Sequence, residues 1–302
     1  TQGEVHYLSW LHAAEVGAAR LLRKVIEAPP RRGLEPTPDV DEAIAWVEER
    51  GGVVMAAQQR EAVRESMGGR SLVITGGPGT GKTTIVRAVL DILERAGRHT
   101  LLCAPTGRAA KRLGEATGRE AKTVHRLLEF EPRLRRFLKD EEDPLAADLI
   151  IIDEVSMVDA SLFHAVLKAT PPGCQLVLVG DVDQLPSVGP GNVLSELIRS
   201  SVLPVVRLTE IFRQARESLI VINAHRVNAG ELPTVEAPGK RPGELPDFFF
   251  IERDEPEEIL SVIKQVVSHR LPRRFGVDPV DDIQLLTPMH RGLLGAQNLN
   301  AE

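Results

Sequence analysis

The sequence predicts an α/β fold, a mostly parallel sheet flanked by helices. Three observations carry that expectation. Short apolar runs of strand length recur at Leu72–Thr75, Thr100–Ala104, Leu149–Asp153, Gln175–Gly180 and Pro204–Leu208, separated by stretches with helical spacing, and such alternation is the pattern of parallel βα units. The first run leads into Gly76-Gly77-Pro78-Gly79-Thr80-Gly81-Lys82-Thr83, a full phosphate-loop pattern between a strand and a helix. The third ends in Asp153-Glu154, an acid pair that a parallel strand delivers to the carboxyl edge of the sheet.

The elements follow in order. From Tyr7 to Ile26 apolar residues recur at helical spacing, Pro29-Pro30 ends the segment, and Asp39 to Arg50 gives a second amphipathic helix closed by Gly51-Gly52. Residues 1–51 are therefore expected as a small N-terminal helical domain. Met55 to Met67 is a further helix before the phosphate loop, and Thr84 to Arg95 is the helix after it. The strands and helices of 52–245 are expected to form one complete lobe. Within it, 129–147 is a short charged excursion, rich in Arg and then in Asp140-Glu141-Glu142-Asp143, with Phe130 and Phe137 as sparse apolar anchors. Between Leu232 and Pro246 the composition shifts to Pro, Gly, Glu and Lys, as in an interdomain linker. Beyond it Asp247–Ile251 and Asp282–Leu286 read as strands around a helix at Glu255–Val267, a βαβ beginning of a second lobe across 246–302 that cannot close a core of its own.

Composition narrows the function classes. Hydrophobic residues at 42% and charged residues at 26% exclude disorder and low-complexity architecture. Since no apolar run approaches the roughly 18 residues of a bilayer-spanning helix, a membrane protein is not expected. No secretory signal pattern is visible at the N-terminus. Cys103 and Cys174 lie far apart, and neither belongs to a C-x-x-C pair. That disfavours a disulfide scaffold or zinc site and points to a reducing, cytoplasmic setting. A net charge of −6 argues against a surface that is nucleic-acid-binding all over, yet it leaves room for a local basic groove. Cations cluster at Arg108, Lys111 and Arg112, at Lys122 and Arg126, at Arg133 to Lys139, and at Arg270, Arg273 and Arg274.

The chemistry of the loop and the acid pair is specific. Glycines let the backbone turn its N–H groups toward phosphate oxygens, so Gly77, Gly79, Thr80 and Gly81 form the cradle, with Thr84 next on the helix. Lys82 reaches the β and γ phosphates and the Thr83 hydroxyl ligates Mg²⁺. Asp153 holds the same ion through a water, and Glu154 orients and deprotonates the water attacking the γ phosphate. No N-K-x-D motif that would read guanine is present, so the expected nucleotide is ATP.

These residues and their surroundings resemble the first motor lobe of superfamily 1 DNA helicases, specifically the RecD-like group. The match runs through Gln59 in Gln59-Arg60-Glu61-Ala62-Val63, through Ala104-Pro105-Thr106-Gly107-Arg108, through Thr123-Val124-His125, through Gly180-Asp181-Val182-Asp183-Gln184-Leu185-Pro186-Ser187-Val188, and through Leu208-Thr209-Glu210-Ile211-Phe212-Arg213. The resemblance implies a RecA-like lobe in which Gln59 recognises adenine, as an amide that both donates and accepts can do. It implies further that Gln184 senses the γ phosphate and Arg213 stabilises transition-state charge. Single-stranded DNA would run over Pro105, Thr106, Arg108, Thr123, His125, Ser187 and Val188. In that group 129–147 corresponds to an inserted hairpin, a pin near the fork. The tail Leu286-Thr287-Pro288-Met289-His290-Arg291-Gly292 resembles the start of the second RecA-like lobe, with His290 and Arg291 on the DNA backbone. Later second-lobe motifs have no counterpart before residue 302, so only the first lobe is expected to be complete.

The resemblance thus implies an ATP- and Mg²⁺-dependent DNA helicase, a monomer moving 5′ to 3′ on single-stranded DNA and unwinding tailed duplexes. The alternative is a nucleotide-gated DNA-binding or assembly module without motor activity. A phosphate-loop kinase fits less well, because such enzymes do not follow their loop with this order of DNA-track elements.

Overall fold

The computed structural model describes residues 7–29, 39–210, 218–235 and 246–302. Two compact units divide the chain, Thr1–Glu244 and Leu245–Glu302.

The first unit is organised by a six-stranded sheet of order β3-β2-β6-β7-β1-β8, with every pairing parallel. Its strands are β1 (Leu72–Gly76), β2 (Thr100–Ala104), β3 (Ala121–Thr123), β6 (Leu149–Ile152), β7 (Gln175–Gly180) and β8 (Val205–Leu208). Strands buried on both faces read as continuous apolar runs, and β1, β6 and β7 do so. Alternate side chains then divide between two cores. Val73, Ile150, Ile152, Leu176 and Leu178 face one, with α7 (Ala160–Ala169) and α8 (Val193–Ser200). Leu72, Ile74, Ile151, Val177 and Val179 face the other, with α3 (Ala57–Met67) and α4 (Lys82–Arg95).

Leaving β1, the chain crosses two strand positions that β7 and β6 later fill. Registers pair Thr75 with Gly180 and Cys103 with Ile152, and the Asp153 N–H donates to the Cys103 carbonyl at 2.9 Å. One edge of the sheet therefore gathers the loops that follow β1, β2, β6 and β7.

The described residues among the first fifty do not build a core apart. In α1 (Ser9–Glu27), Ala14, Ala18 and Leu22 are buried, and Ala18 and Leu22 join the core that contains α7. A β-carbon at Gly17 would lie 2.4 Å from the His164 Nε2, so glycine leaves the half-buried His164 ring its place against α1. Asp39 caps α2 (Val40–Gly51) by accepting from the Asp41 and Glu42 N–H groups at 2.9 and 3.1 Å, and Ala43 and Ile44 enter the opposite core. Each helix has one apolar stripe, and the lobe supplies the surface that buries it.

Two features correct or extend the reading from sequence. The sheet has a sixth strand, the edge strand β3, which at three residues lacks an apolar run. The excursion after it folds into a two-stranded hairpin, β4 (Phe130–Glu131) with β5 (Arg136–Phe137), in which Phe130 pairs with Phe137. In the second unit the expected βαβ is not formed. Pro256–Gln265 is a helix that continues through a π turn at Val266–Arg270 into Leu271–Phe275, but Asp247–Ile251 and Asp282–Leu286 do not pair as strands. A strand exists only through ladder hydrogen bonds to a neighbour, and the described residues of 246–302 offer none. None of the helical residues of this unit is buried. Among the described residues no helix is long and apolar enough to cross a membrane.

Candidate active site

The buried strand β1 ends at Gly76, and the next residues wrap into the phosphate loop. Gly79 and Gly81 take φ of 76° and 79°, left-handed values that side-chain-bearing residues rarely adopt. Gly81 is also the N-cap of α4, so the loop runs directly into a helix whose first N–H groups and positive dipole end face the cleft. Inside the loop the Thr80 hydroxyl donates to the Gly77 carbonyl at 2.8 Å. The Lys82 ammonium donates to the Gly76 and Gly77 carbonyls at 2.6 and 3.1 Å, which holds its charge across the loop mouth.

Two strands away, β6 delivers the acid pair. The Asp153 Oδ1 accepts the Glu154 N–H at 2.9 Å. Glu154 itself sits in the left-handed region at φ 55°, ψ 42°, and its Oε2 is buried without a hydrogen-bond partner. Strained backbone and an orphaned buried oxygen in one residue are features that cluster at reactive sites. Burial raises the Asp153 carboxyl above the usual range against the pull of the Glu154 N–H, Lys82 and Arg112. Burial also raises Glu154, reinforced by the neighbouring Asp153 charge and opposed by Lys82 and Arg112. A carboxylate lifted in this way is a better proton acceptor near neutral pH. Cys103, beside Asp153, is pushed by burial up to about 12, so its thiol stays protonated and inert.

Pro78 to Thr83, Thr106, Arg108, Ala109, Arg112, Asp153, Glu154 and Gln184 line one cleft of about 570 Å³. It unites the loop after β1, the start of α5 (Gly107–Thr117), the acid pair after β6 and the loop after β7. Oxygen donors at Thr83 and Asp153 suit a hard divalent cation that keeps most of its shell as water and phosphate oxygen. Among the described residues no cluster of three His, Cys, Asp or Glu side chains able to hold a metal occurs. A slightly larger cleft, about 640 Å³ between α1, α7 and α8, is mostly apolar, and its charged lining residues, Glu15, Arg23, Glu27 and Glu196, sit on helices rather than at the strand ends.

A family profile described as "AAA domain" matches residues 59–190, which span the phosphate loop, the acid pair and the loop after β7. The chain is 38% identical over 97% of its length to the ATP-dependent RecD2 DNA helicase of Deinococcus radiodurans, covering 38% of that protein. The chain is a homologue of the RecD helicases. It is also 32% identical to the RecBCD enzyme subunit RecD of Mycolicibacterium smegmatis, over 81% of this chain and 49% of that one. The ATP-dependent DNA helicase dda of Enterobacteria phage T4 matches at 35% over 40% of this chain and 29% of that protein. This RecD homologue therefore spans about two-fifths of the length of its RecD2 relative.

Residues assigned through the RecD resemblance fall in several places. Gln184 lines the cleft, as do Thr106 and Arg108, which the resemblance assigns to DNA. Gln59 does not open onto it. At 2% exposure, its Oε1 accepts the Ala56 N–H at 3.1 Å and its Nε2 donates to the Thr80 carbonyl at 3.1 Å. Both ends of the amide are thus engaged by backbone, tying α3 to the phosphate loop rather than presenting a free edge to adenine. Thr84 lies in an adjoining pocket with Thr83, and Gly77 packs near His225.

Pro105 and Thr106 lead from β2 into α5, where the Thr106 hydroxyl caps the helix by accepting the Ala109 N–H at 3.2 Å. Thr123 ends β3 and accepts the Arg126 N–H at 3.1 Å, while the His125 ring lies 5.7 and 5.5 Å from those of Phe130 and Phe137. Ser187 donates to the Gly189 and Gly191 carbonyls at 2.9 and 3.0 Å, which shapes its loop, and Val188 is fully exposed. His290 and Arg291 belong to the second unit. Arg213 lies outside the described residues. The sequence reading missed Arg112 as a cleft residue; it noted the side chain only within a basic cluster, although the four-residue spacing from Arg108 places both on one helix face.

Proposed function

We propose that this chain supplies the ATP-hydrolysing lobe of a DNA helicase that moves 5′ to 3′ on single-stranded DNA and opens tailed duplexes. One observation carries the reading. Gln184, on the cleft, and Val188, fully exposed four residues later, share one loop after β7, so a change at the phosphate end has a short covalent path to the face assigned to DNA.

In this reading Lys82 and the loop N–H groups bind the β and γ phosphates, and Thr83 and Asp153 hold Mg²⁺. The ion, when bound, neutralises phosphate charge and polarises the transferred group. Glu154 accepts the proton of the attacking water at its unpartnered Oε2. Gln184 reads whether a γ phosphate is present, and Arg213 adds a cation to the transition state. DNA crosses Pro105, Thr106, Arg108, Thr123, His125, Ser187 and Val188, and His290 and Arg291 make DNA-backbone contacts of their own. Grip rests on phosphate contacts rather than stacking, since aromatic residues are only 4% of the chain. The hairpin β4–β5 serves as the pin at the fork.

Unwinding of duplexes with a 5′ or a 3′ single-stranded tail tests the proposal, with ATP and Mg²⁺ present. Strand separation confined to the 5′-tailed substrate is expected. Preference for the 3′ tail would reverse the polarity. ATP-dependent DNA binding without separation would instead identify a nucleotide-gated DNA-binding module.

A further inference from the structure

Arg112 projects from α5 into the wall of the phosphate cleft, and neither the sequence motifs nor the resemblance gives it a task. Its helix starts at the end of β2, beside the strand that carries Asp153 and Glu154. Ala109 and Ala116, which line the cleft one turn before and after it, are small, so the guanidinium has room to swing.

Neighbouring cations are committed elsewhere. Lys111 pairs with Glu115 at 3.9 Å, Arg119 with Asp91 and Glu94 at 2.5 and 2.8 Å, and Lys82 is tethered to its loop carbonyls. Arg112 makes no hydrogen bond or ion pair among the described residues, yet its charge acts on both carboxylates of the acid pair. It is not their static partner. An exposed, uncommitted guanidinium at the mouth of a phosphate cleft matches phosphate oxygens in a bidentate fork.

Resting on the reading of this cleft as the ATP site, we infer that Arg112 binds the γ phosphate and makes the lobe distinguish triphosphate from diphosphate. The phosphate loop already serves the β phosphate. Beyond the loop the same cleft is bordered by Glu154 and Arg112, and that is the space a γ phosphate would take. The residue is thus a specificity determinant carried by the same lobe as the phosphate loop.

Titration of fluorescent Mg²⁺–AMP-PNP and Mg²⁺–ADP analogues against the wild-type chain, Arg112→Ala and Arg112→Lys, without DNA, tests this. Arg112→Ala is expected to lose about tenfold in affinity for the triphosphate analogue, a step of about 1.4 kcal/mol, and less than twofold for ADP. Arg112→Lys should fall between, because it keeps the charge without the fork. Equal losses for both nucleotides, or no loss for either, would overturn the inference. So would weakened single-stranded DNA binding with nucleotide preference intact. If the wild-type chain binds neither analogue, the ATP-site reading itself fails, which is a distinct outcome.

Discussion

Glu154 combines a left-handed backbone, a buried oxygen with no partner, and a carboxyl raised by burial and by Asp153. Each costs stability, and the raised carboxyl suits the proton-accepting role proposed for it, so replacing the residue should separate the two. Glu154→Gln is expected to lower kcat for ATP by about 10²–10⁴-fold, the usual span for a general base. The same change should raise the melting temperature at pH 8. The sign follows from linkage: a raised carboxyl favours the folded state while protonated, and that contribution is lost as pH rises through the folded value. At pH 8 the native chain carries the buried charge and the Gln variant does not. Thermal melts at pH 8 and pH 4 check this, with the gap between variant and wild type shrinking at the lower pH; a variant no more stable at pH 8 contradicts it. The acid pair was legible in sequence because a strand of four apolar residues ends in it. Gln59 was not, since its burial depends on the Thr80 carbonyl, a partner brought near only when the loop folds over α3.

At the level of elements, local pattern located every strand whose side chains are buried on both faces, because such strands must be apolar throughout. It missed β3, where Ala121, Lys122 and Thr123 are only half-buried at a sheet edge. It over-read Asp247–Ile251, whose aromatic run Phe248-Phe249-Phe250 has strand character without a neighbour to pair with. Helix α1 shows how packing reassigned a segment that seemed separable. Gly17→Val would drive a branched side chain into His164, and overpacking of this kind costs about 1–3 kcal/mol. The variant is expected to melt earlier in urea and to be cut within α1 by a protease at concentrations that spare the wild type. Unchanged protection of α1 would mean that its contact with α7 does not hold it.

For the whole molecule, the net charge of −6 conceals a division of labour. Acidic residues dominate the average, while the strand ends gather Lys82, Arg108 and Arg112 around two carboxylates. A parallel sheet produces that convergence, since it sends the loops after β1, β2, β6 and β7 to one edge. That Lys82 shares a cleft with Asp153 and Glu154 was readable from two motifs, whereas the place of Arg112 there depends on how α5 lies against the loop. The central claim is that this edge hydrolyses ATP in response to DNA. Steady-state ATP turnover by the wild-type chain and by Lys82→Ala, each with and without single-stranded DNA, tests it most directly. The account predicts turnover that rises with DNA in the wild type and is absent from Lys82→Ala under both conditions; equal turnover in the two proteins, or turnover indifferent to DNA, would contradict it.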